Sequence, residues 1–330
     1  MKICVIIPCY RVKNQILKVI QTIPAIIDKV YVIDDCCPEE SGLYLERNDF
    51  DSRVEIIFHS INKGVGGALK TGYQKAIEDG FDIAIKIDGD GQMDPNLIPK
   101  FITPLIHNKA DYTKGNRFFR LKYLKTMPKV RLFGNSGLSF ITKLSTGHWN
   151  VMDPTNGYTA IRIDVLDYVD LDSIDNRYFF ETDLLYQLGL IRARVVDIPM
   201  VAVYEDEHSS LSIKKVLFEF SWKHFKLFFK RIGINYFLRD FNIGSIFLIL
   251  GTIFTLITLI SGIPLWVHNA ELSLETPVGT IIKYLLFSLI GLGGITGWIM
   301  YDIFSQPNNT ITDLLEDFDL KAINVKKEIM

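Results

Sequence analysis

The stretch Ile83-Ala84-Ile85-Lys86-Ile87-Asp88-Gly89-Asp90 decides the fold, because a run of apolar residues ends there in two acids around a glycine. Apolar runs bounded by turn residues also occupy 2–7, 30–33 and 54–58. Segments with the apolar spacing of helices lie between these runs. Strands that alternate with helices predict an α/β fold, with a mostly parallel sheet covered by helices on both faces.

The ends of three predicted strands carry the polar residues of this half of the chain. In open parallel sheets, ligands bind beyond the carboxyl ends of the strands. Those ends are Pro8-Cys9-Tyr10, Asp34-Asp35 and Asp88-Gly89-Asp90. We therefore expect three fragments of one site at one edge of the sheet.

Length and charge narrow the class of protein. The 330 residues are 48% hydrophobic, which supports a full core, and the net charge is −2. This charge gives no reason to expect a nucleic-acid partner, since such partners select a basic surface. The start, Met1-Lys2 followed directly by apolar residues, lacks the charged leader and cleavage site of a signal peptide. We therefore expect the soluble half to stay in the cytosol.

Two stretches near the C-terminus, 243–267 and 284–301, contain no charged residue. The first is long enough to cross a hydrocarbon core of about 30 Å, and residues 277–283 extend the second. Two buried core helices are the alternative, which the length and the lack of charge disfavour. Gly293 and Gly297 are spaced for close helix packing, within this hairpin or between subunits of a homo-oligomer.

The residues before the first stretch are basic and aromatic. Residues 211–238 interleave lysines with phenylalanines, which favours an amphipathic helix on an anionic membrane; a helix packed on the preceding domain is the alternative. Because the loop 268–280 has no Lys or Arg, the positive-inside rule places residues 1–240 in the cytoplasm. We expect a multi-pass protein of the cytoplasmic (inner) membrane. Its predicted parts are a catalytic domain (1–210), juxtamembrane helices (211–240), a transmembrane hairpin (241–304) and a cytoplasmic tail (305–330).

The first acidic fragment, Asp88-Gly89-Asp90-Gly91-Gln92, is a candidate metal site. Carboxylate and amide oxygens suit Mg²⁺ or Mn²⁺, which keep coordination positions for phosphate. A bare Asp-x-Asp is usually a solvated turn, but its place after a buried strand and beside a second acidic pair makes it more specific. That pair, Asp34-Asp35, either accepts hydrogen bonds from a ribose or base, or forms a turn in which Asp35 caps a helix.

A glycine-rich segment, 62–72, nearly spells a phosphate-binding loop. Leu69 stands where both the P-loop and the dinucleotide-binding pattern require glycine. The sequence therefore argues against ATP hydrolysis and dinucleotide binding. The glycines more simply let a helix begin close to the sheet edge.

Other polar residues are candidates for phosphate and sugar contacts. Arg117 and Arg131 supply cations that a diphosphate or an anionic acceptor needs, although each arginine taken singly is better explained as a surface residue. Asp153 opens a turn rich in hydrogen-bonding groups. Glu181 and Asp183 lie where a helix should begin, so they either act on substrate or stabilise the helix start.

Taken together, these pieces resemble a family-2 glycosyltransferase of the GT-A fold, which has a Rossmann-like, mostly parallel sheet. The chain is similar to dolichol-phosphate mannose synthases and, more closely, to bacterial polyprenyl-phosphate glycosyltransferases with a C-terminal membrane hairpin. The resemblance spans about residues 3–304. The matching elements are Pro8-Cys9-Tyr10, Val32-Ile33-Asp34-Asp35, Asn62-Lys63-Gly64, Gly66-Gly67-Ala68, Gly72, Asp88-Gly89-Asp90-Gly91-Gln92, Gly115-Asn116-Arg117, Asp153-Pro154-Thr155-Asn156-Gly157-Tyr158 and Tyr204-Glu205-Asp206-Glu207-His208-Ser209.

The resemblance implies a role for each matching residue. The residues implied to bind the donor nucleotide sugar are Pro8, Tyr10, Asp35, Asp88 and Arg117, with Mg²⁺ or Mn²⁺ on Asp90 and Gln92. Arg131 and Ser136 are implied to bind the phosphate of the lipid. Asp88, Asp90, Asp153, Glu181 and Asp183 form the catalytic set, in which the last three are candidates for a base or for sugar contacts.

The sequence departs from the family pattern at three places, and the third bears on the donor. Cys36-Cys37 replaces a Gly-Ser, and Arg11-Val12 stands where an acidic residue is common. The arginine of the mannose-synthase branch has no counterpart near Glu205–Ser209, so we favour UDP-glucose over GDP-mannose.

We therefore expect inverting transfer of one hexose from a nucleotide sugar to polyprenyl (undecaprenyl) phosphate at the cytoplasmic membrane face. The alternatives are a GDP-mannose-using mannosyltransferase, a processive polysaccharide synthase and a non-catalytic membrane scaffold. A synthase would resemble its class in a Gln-x-x-Arg-Trp signature, which this sequence lacks. The intact Asp88, Asp90 and Gln92 argue against a scaffold.

Overall fold

The computed structural model describes residues 1–48, 51–119, 129–201 and 213–314, without the side chains of 129–133 and 213–217. The chain divides into two compact units. One comprises residues 1–228 together with 307–330, and the other comprises 229–306. The domain boundaries expected from the sequence stay a prediction.

Within the described part of the first unit, seven strands form one sheet in the order β3-β2-β1-β4-β6-β5-β7. β6 runs antiparallel to both of its neighbours, and the other pairs are parallel. This confirms the predicted mostly parallel α/β sheet. The strands are β1 (Ile3–Cys9), β2 (Lys29–Asp34), β3 (Val54–Phe58), β4 (Ile83–Lys86), β5 (Tyr112–Asn116), β6 (Thr159–Arg162) and β7 (Val195–Pro199).

Helices cover both faces of this sheet, which explains why the central strands are continuous apolar runs. Val5 and Ile7 of β1 pack into the core on one face, while Cys4 and Ile6 pack into the core on the other. The α-helices among the described residues are α1 (Ile16–Gln21), α2 (Ser41–Glu46), α3 (Val65–Glu78), α4 (Ile98–Ile106), α5 (Lys129–Thr146), α6 (Phe180–Leu190), α7 (Ile213–Gly233), α8 (Ile243–Ile257), α9 (Ile263–Glu271) and α10 (Val278–Phe304).

The basic, aromatic helix α7 has two different faces within the first unit. On one face, the Phe220 ring packs against Phe179 at 5.1 Å, and the Lys223 ammonium pairs with Asp175 at 2.6 Å. On the other, Phe218 and Trp222 are exposed. The helix therefore packs on the first unit with one face, as the alternative interpretation expected, and exposes aromatic side chains on the other. Its place at a membrane surface stays a prediction.

The second unit contains two helices that are long and apolar enough to cross a membrane, Ile243–Glu271 and Val278–Phe304. Each extends beyond the apolar stretch expected from the sequence, 243–267 and 284–301. The first comprises α8, a π-helical turn at Thr258–Gly262 and α9. The second begins after Pro277, as the expected extension requires.

Glycines bring α8 and α10 into close contact. A Cβ atom at Gly294 would lie 2.5 Å from the Cα of Gly251, and one at Gly291 would lie 2.6 Å from Thr255 Oγ1. A Cβ at Gly293 would meet nothing within 4 Å, whereas one at Gly297 would lie 3.2 Å from the Phe247 ring. Packing within the hairpin therefore does not hold for Gly293, because the helical period turns this residue away from α8, whereas Gly297 contacts α8. Contact between subunits stays a prediction.

Gly294→Leu is expected to destabilise the protein by about 1–3 kcal/mol, because its side chain would force α8 and α10 apart. Gly293→Leu is the matched control, since the neighbouring position is open. Thermal unfolding of the purified proteins in detergent measures the stability of both variants. Equal losses in the two variants would contradict this packing.

The segment after the second apolar helix returns to the first unit. The buried Asp111 carboxylate accepts hydrogen bonds from the backbone N–H groups of Arg194 and Ile311, at 2.7 and 3.0 Å. The Arg194 guanidinium also donates to the backbone oxygen of Asn308 at 2.7 Å. Because residues on either side of 229–306 fold into one unit, any insertion of that region into a membrane must return the chain to the same side.

Burial raises the pKa of Asp111 to about 6, despite the backbone N–H groups of Arg194 and Ile311 that favour its ionised form. The folded chain therefore holds this proton more tightly than the unfolded chain does. The stability that this provides is complete below about pH 4 and is lost as the pH rises through about 6. Between pH 7 and pH 5, the native chain should gain about 1 kcal/mol of unfolding free energy more than Asp111→Asn. Denaturant titrations at both pH values measure this difference, and identical gains would contradict the shift.

Candidate active site

A cavity of about 320 Å³ opens at the carboxyl ends of β1, β2 and β4. Pro8, Tyr10, Asp35, Asp88 and Asp90 all line it. The three fragments expected from the strand ends therefore meet in one place.

Asp35 organises the wall of this cavity. Its Oδ1 lies 2.7 Å from His59 Nδ1 and accepts a hydrogen bond from the Lys63 N–H at 2.8 Å. Its Oδ2 accepts from the Gly64 N–H at 2.7 Å. The neighbouring Asp34 instead holds the turn into α2, through the N–H groups of Cys37 and Gly42. The turn role considered for the acidic pair thus belongs to Asp34, while Asp35 fixes the loop at the cavity.

The glycines at the start of α3 allow another loop to approach. Gly64 has φ +90°, and a Cβ there would lie 2.5 Å from the backbone oxygen of Asn176. A Cβ at Gly66 would lie 2.3 Å from the backbone oxygen of Asp175. This close contact places the next residues, Arg177 and Tyr178, at the cavity. Sequence reasoning missed both, because no local pattern marks them.

Asp88 and Asp90 border the cavity on a tight turn after β4. A Cβ at Gly89 would lie 2.9 Å from Ile16, and Gly91 has φ +81°, so the turn is built for glycine at both positions. Asp90 Oδ1 accepts the N–H of Gln92 at 2.9 Å, which fixes the carboxylate. The Gln92 side chain is partly buried and is not among the residues that line the cavity.

A divalent cation fits this turn only if a ligand supplies most of its oxygens. Among the residues that the structure describes, no group of three or more His, Cys, Asp or Glu side chains is placed to hold a metal. Mg²⁺ is commonly bound by one or two carboxylates together with phosphate and water oxygens. The partly buried Asp90 at the edge of an open cavity meets that requirement.

Two buried lysines lie beneath the turn. Lys86 Nζ is 2.6 Å from Asp88 Oδ1, and Lys114 Nζ is 3.8 Å from Glu181 Oε2. Burial lowers the pKa of Lys114. Burial also acts on Lys86, but the charges of Asp88 and Glu181 outweigh it and raise the pKa of that ammonium. Glu181 and Asp88 both line a second cavity, of about 370 Å³.

Arg117 and Asp153 form one unit. Arg117 Nε donates to Asp153 Oδ2 at 2.7 Å, and Nη2 donates to Oδ1 at 2.8 Å. The Asp153 side chain is fully buried, whereas that of Arg117 is 23% exposed. The carboxylate thus orients the guanidinium, whose side chain stays partly exposed.

Asp183 and Ser136 are not among the residues that line the first two cavities. Asp183 Oδ2 accepts the N–H of Asp175 at 2.9 Å and so holds the loop that precedes α6. Ser136 is exposed on α5 beside a third cavity, of about 390 Å³, which Lys143 also lines. The side chain of Arg131 and residues 204–209 lie outside the described part of the chain.

Comparison with known proteins identifies relatives of this chain. The family model described as glycosyl transferase family 2 matches residues 4–169. The UDP-N-acetylglucosamine–dolichyl-phosphate N-acetylglucosaminyltransferase of Methanococcus voltae is 30% identical over 218 residues, which cover 62% of this chain and 86% of that protein. The undecaprenyl-phosphate mannosyltransferase of Micrococcus luteus is 28% identical over 210 residues, with coverage of 62% and 84%.

A solved structure shares the fold. Glucosyl-3-phosphoglycerate synthase of Mycobacterium tuberculosis, solved with Mn²⁺, UDP and phosphoglyceric acid, superposes with a TM-score of 0.51 at 17% identity. The superposition covers 70% of this chain and 78% of that one. The described sheet is thus GT-A-like, as the sequence resemblance implied.

Proposed function

This chain belongs to glycosyltransferase family 2, and on that premise we propose that it transfers one sugar from a nucleotide sugar to the phosphate of a polyprenyl lipid. One observation carries the proposal: Asp35, Asp88 and Asp90 line a single cavity at the carboxyl ends of three strands. The relatives named above, which act on dolichyl and undecaprenyl phosphate, support the acceptor.

The donor would bind with its nucleoside between Pro8, Tyr10 and Asp35. Tyr10 lines the cavity and is 42% exposed, so its ring would contact the base. Asp90, with Gln92 beside it, would hold Mg²⁺ or Mn²⁺. When bound, that ion neutralises charge on the departing diphosphate. Arg177, which lines the cavity, and Arg117 are the cations that would bind phosphate oxygens.

Glu181 is the acid best placed to contact the transferred sugar. It lines the second cavity together with Asp88, which also lines the first. Asp153 binds Arg117 through both oxygens, and Asp183 holds a loop, so we assign them supporting roles. A phosphate acceptor is already anionic near neutral pH and needs no strong base. Alignment of that nucleophile in an inverting displacement is then the main task of the protein.

The two apolar helices and α7 support a membrane-bound acceptor. The exposed Phe218, Trp222 and Phe225, with Lys226 lying 5.3 Å from the Trp222 ring centre, suit the interface of an anionic leaflet. The catalytic unit would then act at the cytoplasmic face of the inner membrane. Arg131 and Ser136 on α5 are the proposed ligands of the lipid phosphate.

The sugar stays a prediction. The sequence favours UDP-glucose, whereas the named relatives transfer N-acetylglucosamine or mannose. UDP-glucose, UDP-N-acetylglucosamine and GDP-mannose all carry a diphosphate. The acidic turn after β4 therefore does not by itself distinguish between these donors.

The test incubates the purified full-length protein with undecaprenyl phosphate and labelled UDP-glucose, UDP-N-acetylglucosamine or GDP-mannose, with Mg²⁺, with Mn²⁺ or with EDTA. Mass spectrometry should detect one sugar per lipid phosphate, from one preferred donor, and EDTA should abolish the product. NMR of the product should show inversion at the anomeric carbon. Transfer to phosphoglyceric acid but not to lipid, or no transfer from any donor, would contradict the proposal.

A further inference from the structure

The two buried lysines occupy one row of the sheet. Lys86 on β4 and Lys114 on β5 both pair with Thr159 on the antiparallel β6. Residues directly opposite one another in a sheet point to the same face. Lys86 is 2% exposed and Lys114 is fully buried, so two buried lysine side chains point to the same face of the sheet from the strands on either side of β6.

Glycine at position 157 makes room for this row. A Cβ there would lie 2.4 Å from Lys86 Nζ, 3.0 Å from Asp88 Oδ2 and 3.1 Å from Glu181 Oε1. These atoms surround the bare backbone of one residue. Lys86 also lies 5.6 Å from the centre of the Phe180 ring, which helps to fix its ammonium group.

Stability alone does not explain a buried lysine at this position. A buried ion pair costs desolvation that its attraction barely offsets, and apolar residues of similar volume often serve stability as well or better. Here the Lys86 ammonium pairs with the carboxylate of Asp88, which lines both the first and the second cavity.

We propose that Lys86 is a positioning residue of the transfer reaction: it acts through Asp88, whose carboxylate it holds at the junction of the two cavities. Gly157 contributes to this positioning, because any side chain at that residue would displace the Lys86 ammonium group. This inference rests on the proposed function, since it assigns Lys86 to that reaction.

A double-mutant cycle tests whether Lys86 acts through Asp88. The full-length native chain, Lys86→Met, Asp88→Asn and the double variant are assayed for sugar transfer to undecaprenyl phosphate. We expect Lys86→Met to lower kcat by roughly 100-fold in the native background but by less than about 3-fold in the Asp88→Asn background. The donor KM should change by less than about 3-fold, because the nucleoside contacts are elsewhere.

Two further variants separate positioning from folding. Lys29→Met removes another strand lysine, paired with Glu55 at 2.9 Å, and should leave kcat unchanged. Gly157→Ala keeps every charge and should lower kcat by roughly 10-fold, again only when Asp88 is present. If Lys86→Met fails to fold, the dependence of the Gly157→Ala loss on Asp88 still tests the proposal.

Additive losses, in which either variant lowers kcat as much without Asp88 as with it, would overturn the assignment of Lys86. So would a Lys86→Met variant that retains native kcat. A native chain that transfers no sugar would instead contradict the proposed function, and the two failures are therefore distinguishable.

Discussion

Asp90→Asn is expected to lower kcat for sugar transfer by about 10²–10³-fold, the largest catalytic effect that we predict. The Asp90 carboxylate is fixed at the cavity edge by the Gln92 N–H. An amide of the same shape keeps that position but loses the negative charge that a divalent cation requires. Steady-state assays at several Mn²⁺ concentrations should show both the lower kcat and a higher metal requirement.

Asp94→Asn is the matched control for this change. Asp94 is exposed on the same turn, where its Oδ1 accepts the N–H of Asn96 and caps a short helix. Asparagine caps a helix nearly as well, so activity should fall less than about 2-fold. If Asp90→Asn were as active as Asp94→Asn, the proposed metal site would be wrong.

Asp302→Ala is expected to destabilise the apolar unit by about 3–5 kcal/mol, because it leaves a buried guanidinium without its counter-charge. Asp302 accepts hydrogen bonds from Arg231 at 2.7 and 3.0 Å and from the Tyr236 hydroxyl at 2.6 Å. Arg231 is 2% exposed and Asp302 is 5% exposed. These contacts join the last turn of α7 and the π-helical turn after it to the end of α10.

Unfolding of the full-length protein in detergent measures this loss. Tyr236→Phe removes the hydrogen bond from this hydroxyl to Asp302 and no charge, so it should cost only about 1 kcal/mol. A loss below about 1 kcal/mol for Asp302→Ala would mean that water or lipid headgroups reach Arg231, contrary to the burial described here.

The fold was predictable because its signals are local. Each central strand is an apolar run that ends in a turn residue, and helices of ordinary period separate the runs. The antiparallel β6 was not predictable, since its four residues, Thr159–Arg162, carry no signal of direction. The sequence allowed Gly293 and Gly297 to pack within the hairpin or between subunits, and within the hairpin Gly297 contacts α8 whereas Gly293 does not. Residue spacing shows that a close contact is possible, but the crossing of the two helices selects Gly294 over Gly293.

The site was predictable in part, by the rule that strand ends in a parallel sheet converge. Pro8, Asp35 and Asp88 meet for that reason. The pairing of Arg117 with Asp153 and the row formed by Lys86 and Lys114 depend on register between segments that are far apart in sequence. No local sequence pattern predicts such a register. A lysine inside an apolar strand merely interrupts the apolar run and does not indicate its partner.

The most direct test of the central claim is a structure of the protein with Mn²⁺ and the nucleoside diphosphate of its preferred donor. We predict an anomalous signal for Mn²⁺ about 2 Å from an Asp90 carboxylate oxygen, bridging to the diphosphate. The nucleoside should lie between Pro8, Tyr10 and Asp35. A cation bound away from Asp90, or a nucleotide bound outside this cavity, would contradict the account.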